Sequence, residues 1–230
     1  MVEAVIFDWG GTLTPWHTVD HVALWREVCA QHYNTQEISE RTASAIRAAE
    51  RELWIAAERE HRSATMDHVF ERAGVTPTAA FLASYFEAWE PHTLTDPDAP
   101  ELLRELRANG IRIGVLSNTM WPRRVHQQFF VRDGIDGLID GAVYSSEIDW
   151  TKPHPEAFRA AMAAVGARDP AACVFVGDRP YDDVYGAKQA GLRAVLVANS
   201  DVPAFAEAEP DAVIRRLADL GPLVETWRND

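Results

Sequence analysis

The sequence predicts an α/β fold, a doubly wound and mostly parallel sheet interrupted early by an all-helical segment. Short apolar runs recur at 4–7, 111–116, 141–144, 172–176 and 192–197, with 212–214 as a short sixth. Continuous apolar runs of this length, closed by glycines or polar residues, read as strands buried on both faces. Helix-length stretches separate the later runs, and that alternation builds parallel sheets through crossover connections. Residues 15–94 are the exception. They lack strand-like alternation and are rich in Ala, Glu, Arg and aromatics.

The first run, Ala4 to Phe7, stops at Asp8, and Gly10 and Gly11 follow. A residue just past such a strand lies at the carboxyl edge of the sheet, where open α/β folds place their chemistry. The glycines let the backbone turn sharply and bring N–H groups near an anion. Four helices are expected in the insert. The first carries Val22, Leu24, Trp25 and Val28. The second runs over 35–60 with Ile38, Ala45, Ile46, Ala49 and Leu53 on one side. The third, over 64–73, is capped by Ser63 and ended by Gly74, and the fourth starts at Pro77 in its first turn. Trp16, Trp25, Trp54 and Trp89 lie in or beside this insert, either as its core or lining a pocket that faces Asp8.

Beyond the insert, a helix from Asp98 ends at Asn109-Gly110, and the strand at 111–116 ends in Ser117-Asn118. A hydroxyl at a strand's carboxyl end before a helix suits phosphate, although Ser117 taken alone better suits an N-cap. The strand at 141–144 leads to Trp150-Thr-Lys152-Pro153. Of the 22 Lys and Arg residues only Lys152 and Lys188 are lysines, so few amines are available for chemistry. The strand at 172–176 runs into Gly177-Asp178, with Asp182 and Asp183 close behind. Three carboxylates after one strand are costly unless a cation offsets them, and oxygen-only ligands suit Mg²⁺. A helix over 184–190, the strand at 192–197 and a final helix to about Trp227 complete the chain.

The net charge of −13 excludes nucleic acid and anionic membranes as expected partners. No apolar run approaches the roughly 20 residues that span a bilayer, and no secretory signal is expected at the amino terminus. The two cysteines, Cys29 and Cys173, read as buried thiols in a reducing, cytoplasmic setting rather than as a disulfide framework.

Taken in order, Asp8, Ser117, Lys152 and Asp178 with Asp183 resemble the four motifs of the haloacid dehalogenase-like (HAD) hydrolase superfamily. The motifs are Asp8-Trp9-Gly10-Gly11-Thr12, Leu116-Ser117-Asn118, Lys152-Pro-His-Pro-Glu-Ala-Phe158 and Gly177-Asp178 with Asp183. The resemblance implies a Rossmann-like core of residues 1–14 and 95–230 with residues 15–94 as a helical cap. It also implies a Mg²⁺-dependent phosphatase acting on a small phosphorylated or other anionic metabolite. Asp8 would be the nucleophile that forms an aspartyl-phosphate, with Lys152 and Ser117 as further catalytic groups. Gly11, Ser117, Asn118 and Lys152 would hold the phosphoryl oxygens, and Asp8, Asp178 and the carbonyl of Gly10, with Asp183 in support, the metal. The chain departs from the family at Gly10, where a second Asp usually serves as acid and base. Asp182, His17, Thr14 or water would then substitute. The 2-haloacid dehalogenases also lack that acid, but they need no metal, which the acidic cluster argues against. The phosphonoacetaldehyde hydrolases need a cap lysine, and residues 15–94 contain none. A non-catalytic protein that binds a phosphorylated ligand or a partner is the remaining alternative.

Overall fold

Strand β1 (Ala4–Phe7) is buried along its whole length and lies in the middle of the sheet. The computed structural model describes residues 1–198 and 202–229. Four helices follow β1: α1 (His21–His32), α2 (Gln36–Glu60), α3 (Met66–Ala73) and α4 (Ala79–Trp89). The remainder alternates, with α5 (Ala99–Ala108), β2 (Arg112–Ser117), α6 (Arg123–Arg132), β3 (Gly141–Tyr144) and α7 (Pro155–Ala164). It ends with β4 (Cys173–Gly177), α8 (Gly186–Gln189), β5 (Arg193–Val197), β6 (Ala212–Ile214) and α9 (Leu220–Asn229).

Among the described residues the six strands form one sheet in the order β3-β2-β1-β4-β5-β6, with every neighbouring pair parallel. The chain winds outward from β1 in both directions, so the expected doubly wound sheet is observed. Alternate residues of β1 serve opposite faces. Val5 and Phe7 pack with α5, α6 and α9 through Leu103, Val125 and Val224, while Ala4 and Ile6 pack with α7 and α8 through Phe158 and Ala187.

The insert differs from the sequence reading at two helix starts and on one helix face. Thr65, not Ser63, caps α3 by accepting from His68 N, while the Ser63 hydroxyl donates to Ile148 O in the loop after β3. Pro77 precedes the cap of α4 rather than opening its first turn, because Thr78 accepts from Phe81 N. Ile38, expected on the buried face of α2, is exposed; that face is formed by Ala43, Ile46, Ala49, Glu50 and Ala57. After β4 the chain does not begin an α-helix at Val184. A π-helical turn, Pro180–Tyr185, comes first and leads into the short α8. Such turns widen the backbone locally and recur at functional sites.

Candidate active site

The parallel register sets the site. Phe7 pairs with Val115 of β2 and Val176 of β4, so the three strands finish side by side. The N–H of Asp8 donates to Val176 O at 2.8 Å, which fixes Asp8 at the edge next to Gly177-Asp178. Asp8, Asp178 and Asp183 are all buried, and one carboxylate oxygen from each lies within 4.8 Å of the others. Lys152 reaches this cluster from the loop before α7. Its Nζ donates to Asp8 Oδ1 and to Asp183 Oδ1, both at 2.6 Å, with only 2% of the residue exposed.

Burial and mutual repulsion dominate the electrostatics. Burial, then repulsion from Asp8 and Asp183, pushes the Asp178 carboxyl up to about 7. Asp182, on the π-helical turn, is pushed up to about 6 by burial and by Asp183. Asp8 is raised as well, because burial outweighs the attraction of Lys152. Burial alone would lower the Lys152 ammonium, but Asp183 and Asp8 more than offset it and hold it above its ordinary range. One ammonium therefore faces three crowded carboxylates. An oxygen-only donor set this close together, with Asp178 driven toward protonation, fits a hard divalent cation such as Mg²⁺.

Several expected site residues also make bonds within the protein. Of the backbone N–H groups around Gly11 expected to face phosphate, that of Gly11 itself donates to Thr14 O at 2.9 Å, closing the 9–14 loop on itself. Gly11 also permits close approach: its φ is +89°, and a Cβ there would lie 2.5 Å from Asp178 Oδ2. The Asn118 side chain brackets the backbone of Lys152. Oδ1 accepts from Lys152 N at 2.8 Å and Nδ2 donates to Lys152 O at 3.0 Å. The Asn118 side chain thus ties the end of β2 to the loop that carries Lys152. Both Asp183 oxygens are engaged, one by Lys152 and the other by Arg179 N at 2.9 Å. The Thr14 hydroxyl donates to Trp9 O at 3.2 Å. Ser117, buried at the end of β2, borders the same cavity as Asp8 and Lys152.

That cavity, about 520 Å³, lies between the sheet edge and the helical insert. His17 and Asp182 border it, as do Trp16, Trp54 and Trp89, whereas Trp25 is core, stacked on Tyr85 at 4.2 Å between centroids. Sequence reading missed Arg179, whose guanidinium lies over the Trp16 ring at 5.5 Å, and the α2 residues Arg47, Glu50 and Arg51. Their 3–4 spacing was legible as a helix face, but nothing in the pattern said which face meets the cavity. Gly10 borders it too, and a Cβ added there would meet nothing within 4 Å.

A family model of haloacid dehalogenase-like hydrolases matches residues 2–191. The chain belongs to that family. Among curated HAD relatives, phosphoserine phosphatase of Thermus thermophilus is 32% identical over 161 residues, 69% of this chain and 62% of that protein. Glyceraldehyde 3-phosphate phosphatase of Methanothermobacter thermautotrophicus is 33% identical over 54% of this chain and 52% of that protein. The chain thus spans about half to three-fifths of the length of these relatives. Solved HAD structures cover nearly the whole chain. L-2-haloacid dehalogenase of Xanthobacter autotrophicus superposes with a TM-score of 0.67 at 23% identity, covering 98% of this chain and 99% of the other. A HAD phosphatase of Thermococcus onnurineus gives the same score and identity over 97% and 98%. At this identity the likeness speaks to the fold alone.

Proposed function

We propose that this HAD-like hydrolase is a Mg²⁺-dependent phosphatase of a small phosphorylated metabolite. The observation that carries the reading is the buried gathering of Asp8, Asp178, Asp183 and Lys152, with Asp8 and Lys152 bordering the cavity. The phosphatase names of the curated relatives support it. Asp8 and Asp178, with the carbonyl of Gly10 and with Asp183 in support, would hold the cation. When bound, it supplies charge neutralisation that lets an anionic phosphoryl group approach the carboxylates.

The chain's own residues do the rest. Asp8 would attack phosphorus in line and displace the alcohol oxygen, giving an aspartyl-phosphate that water then hydrolyses. Lys152 would hold a fixed positive charge against the reacting group, and Ser117 would hold a phosphoryl oxygen. Residues 15–94 would serve as the cap that closes the cavity. Gly10 leaves the leaving-group proton to Asp182, His17 or water, since the Thr14 hydroxyl is already bonded within its own loop. The two free, buried thiols, Cys29 and Cys173, support a reducing, cytoplasmic setting, and no helix among the described residues is long and apolar enough to cross a membrane.

The test is phosphate release from a panel of phosphate esters with Mg²⁺, and its loss in Asp8→Asn. Chloride released from 2-chloropropionate without phosphate release would instead indicate attack on carbon. A ligand-induced rise in Tm without any turnover would indicate a binding protein.

A further inference from the structure

Helix α2 carries a charged group deep in the cavity wall. Glu50 has only 6% of its side chain exposed, yet it borders the same cavity as Asp8. Its bonds among the described residues all fall on one oxygen. Oε2 accepts from Trp25 Nε1 at 3.2 Å and from Arg47 Nη1 at 3.1 Å, and His21 Nδ1 lies 3.9 Å from it. Oε1 is left as the atom that Glu50 can offer to the cavity. Oε1 is not among the sealed-off polar atoms, so it is open to the cavity, and the bonds to Oε2 hold the carboxylate in place. Trp54, Tyr85 and Trp89 border the cavity beside it, and aromatic faces favour a cationic group.

We infer that Glu50 is a specificity-determining residue, accepting a hydrogen bond through Oε1 from an ammonium or hydroxyl group at the far end of the phosphorylated substrate. This rests on the phosphatase reading above and adds the chemistry of the second pole. Phosphoryl would go to the Asp8–Lys152 end and the N–H or O–H donor to α2. The preferred substrate is then a small phosphomonoester with a polar, donor-bearing tail rather than an apolar one. A site built to accept a hydrogen bond discriminates against an analogue that lacks the donor, because a ligand filling the cavity would cover the acceptor and leave it unmatched.

The experiment uses alkyl phosphates of two to four carbons ending in methyl, hydroxyl, ammonium or carboxylate, with Mg²⁺. For the intact chain, kcat/KM for the ammonium- or hydroxyl-ended series should exceed that for the methyl-ended series by about 10- to 100-fold, the effect of a hydrogen bond to a charged group. In Glu50→Gln and Glu50→Asp the ratio should fall toward one for the ammonium-ended series, chiefly through KM. Circular dichroism establishes that each variant is folded. Which series leads identifies the donor as ammonium or hydroxyl. A preference for the methyl- or carboxylate-ended series, or a ratio unchanged in both variants, overturns the assignment. If no ester is hydrolysed, the phosphatase reading falls, and the ligand-induced rise in Tm decides about Glu50. It must be larger for ammonium- or hydroxyl-ended than for methyl-ended compounds, and the excess must vanish in Glu50→Gln.

Discussion

At the residue scale, two adjacent glycines make opposite predictions. Gly10 has open space where a Cβ would go and no positive φ to demand glycine. Gly10→Asp should therefore fold, with a Tm within a few degrees of the parent protein. It would also place a carboxyl group in the cavity as a general acid, a role worth about 10²–10⁴ in rate where it operates. Faster phosphate release is the expected outcome, and steady-state assay of the two proteins checks it. Gly11→Ala should behave oppositely, since its Cβ would meet the Asp178 carboxylate at 2.5 Å on a φ of +89°. A loss of about 1–3 kcal/mol, together with loss of activity, is expected by denaturant titration and assay. Lys152→Met leaves Asp8 and Asp183 without their shared ammonium. Breaking a buried pair in this way typically costs about 3–5 kcal/mol. An unchanged urea midpoint would contradict the placement of Lys152 between them.

At the scale of elements, the strands were the most legible part of the sequence. A strand buried on both faces must be apolar throughout, so Ala4–Phe7 and Cys173–Gly177 announce themselves and their ends mark the site. Parallel pairing then puts Asp8, Ser117 and Asp178 together without further information. Helix starts were less legible. Ser63 and Thr65 are both good caps by type, and the choice fell to a tertiary contact, Ser63 with Ile148. Thr65→Ala should accordingly cost about 1 kcal/mol and Ser63 should not act as a substitute cap; a negligible change in thermal stability would contradict this. The duties of Gly11 and Asn118 were hidden for a similar reason. Residue type says that an N–H or an amide is available, whereas the folded loops decide that the Gly11 N–H bonds to Thr14 and the Asn118 side chain to Lys152. The cavity face of α2 was hidden because periodicity gives faces but not what they meet.

At the scale of the whole molecule, the insert and the sheet are not separate in their packing. Trp25, Phe70, Phe81 and Tyr85 of the insert belong to the same buried apolar cluster as Phe7, Val115 and Val176 of the sheet. One cooperative thermal transition is expected, and two resolved transitions by calorimetry would contradict it. Acid should weaken this packing through His126 of α6. Its ring is stacked on Tyr144 at 4.3 Å and fully buried, and burial, with Arg123 adding repulsion, pulls its pKa down to about 3. The unfolded chain binds a proton there near pH 6.5 and the folded chain does not. This group therefore removes stability as pH falls from 6.5 toward 3, by up to about 1.4 kcal/mol per pH unit. Urea midpoints measured against pH should slope less steeply in His126→Gln; equal slopes would contradict the neutral, buried imidazole.

The central claim is that the Asp8 carboxylate takes the phosphoryl group from its substrate. Mass spectrometry of an acid-quenched reaction with Mg²⁺ and a hydrolysed ester tests it most directly. A phosphoryl adduct should appear on the peptide carrying Asp8 and be absent from Asp8→Asn. Phosphate release that proceeds with that peptide unmodified, or that survives in Asp8→Asn, would contradict the account.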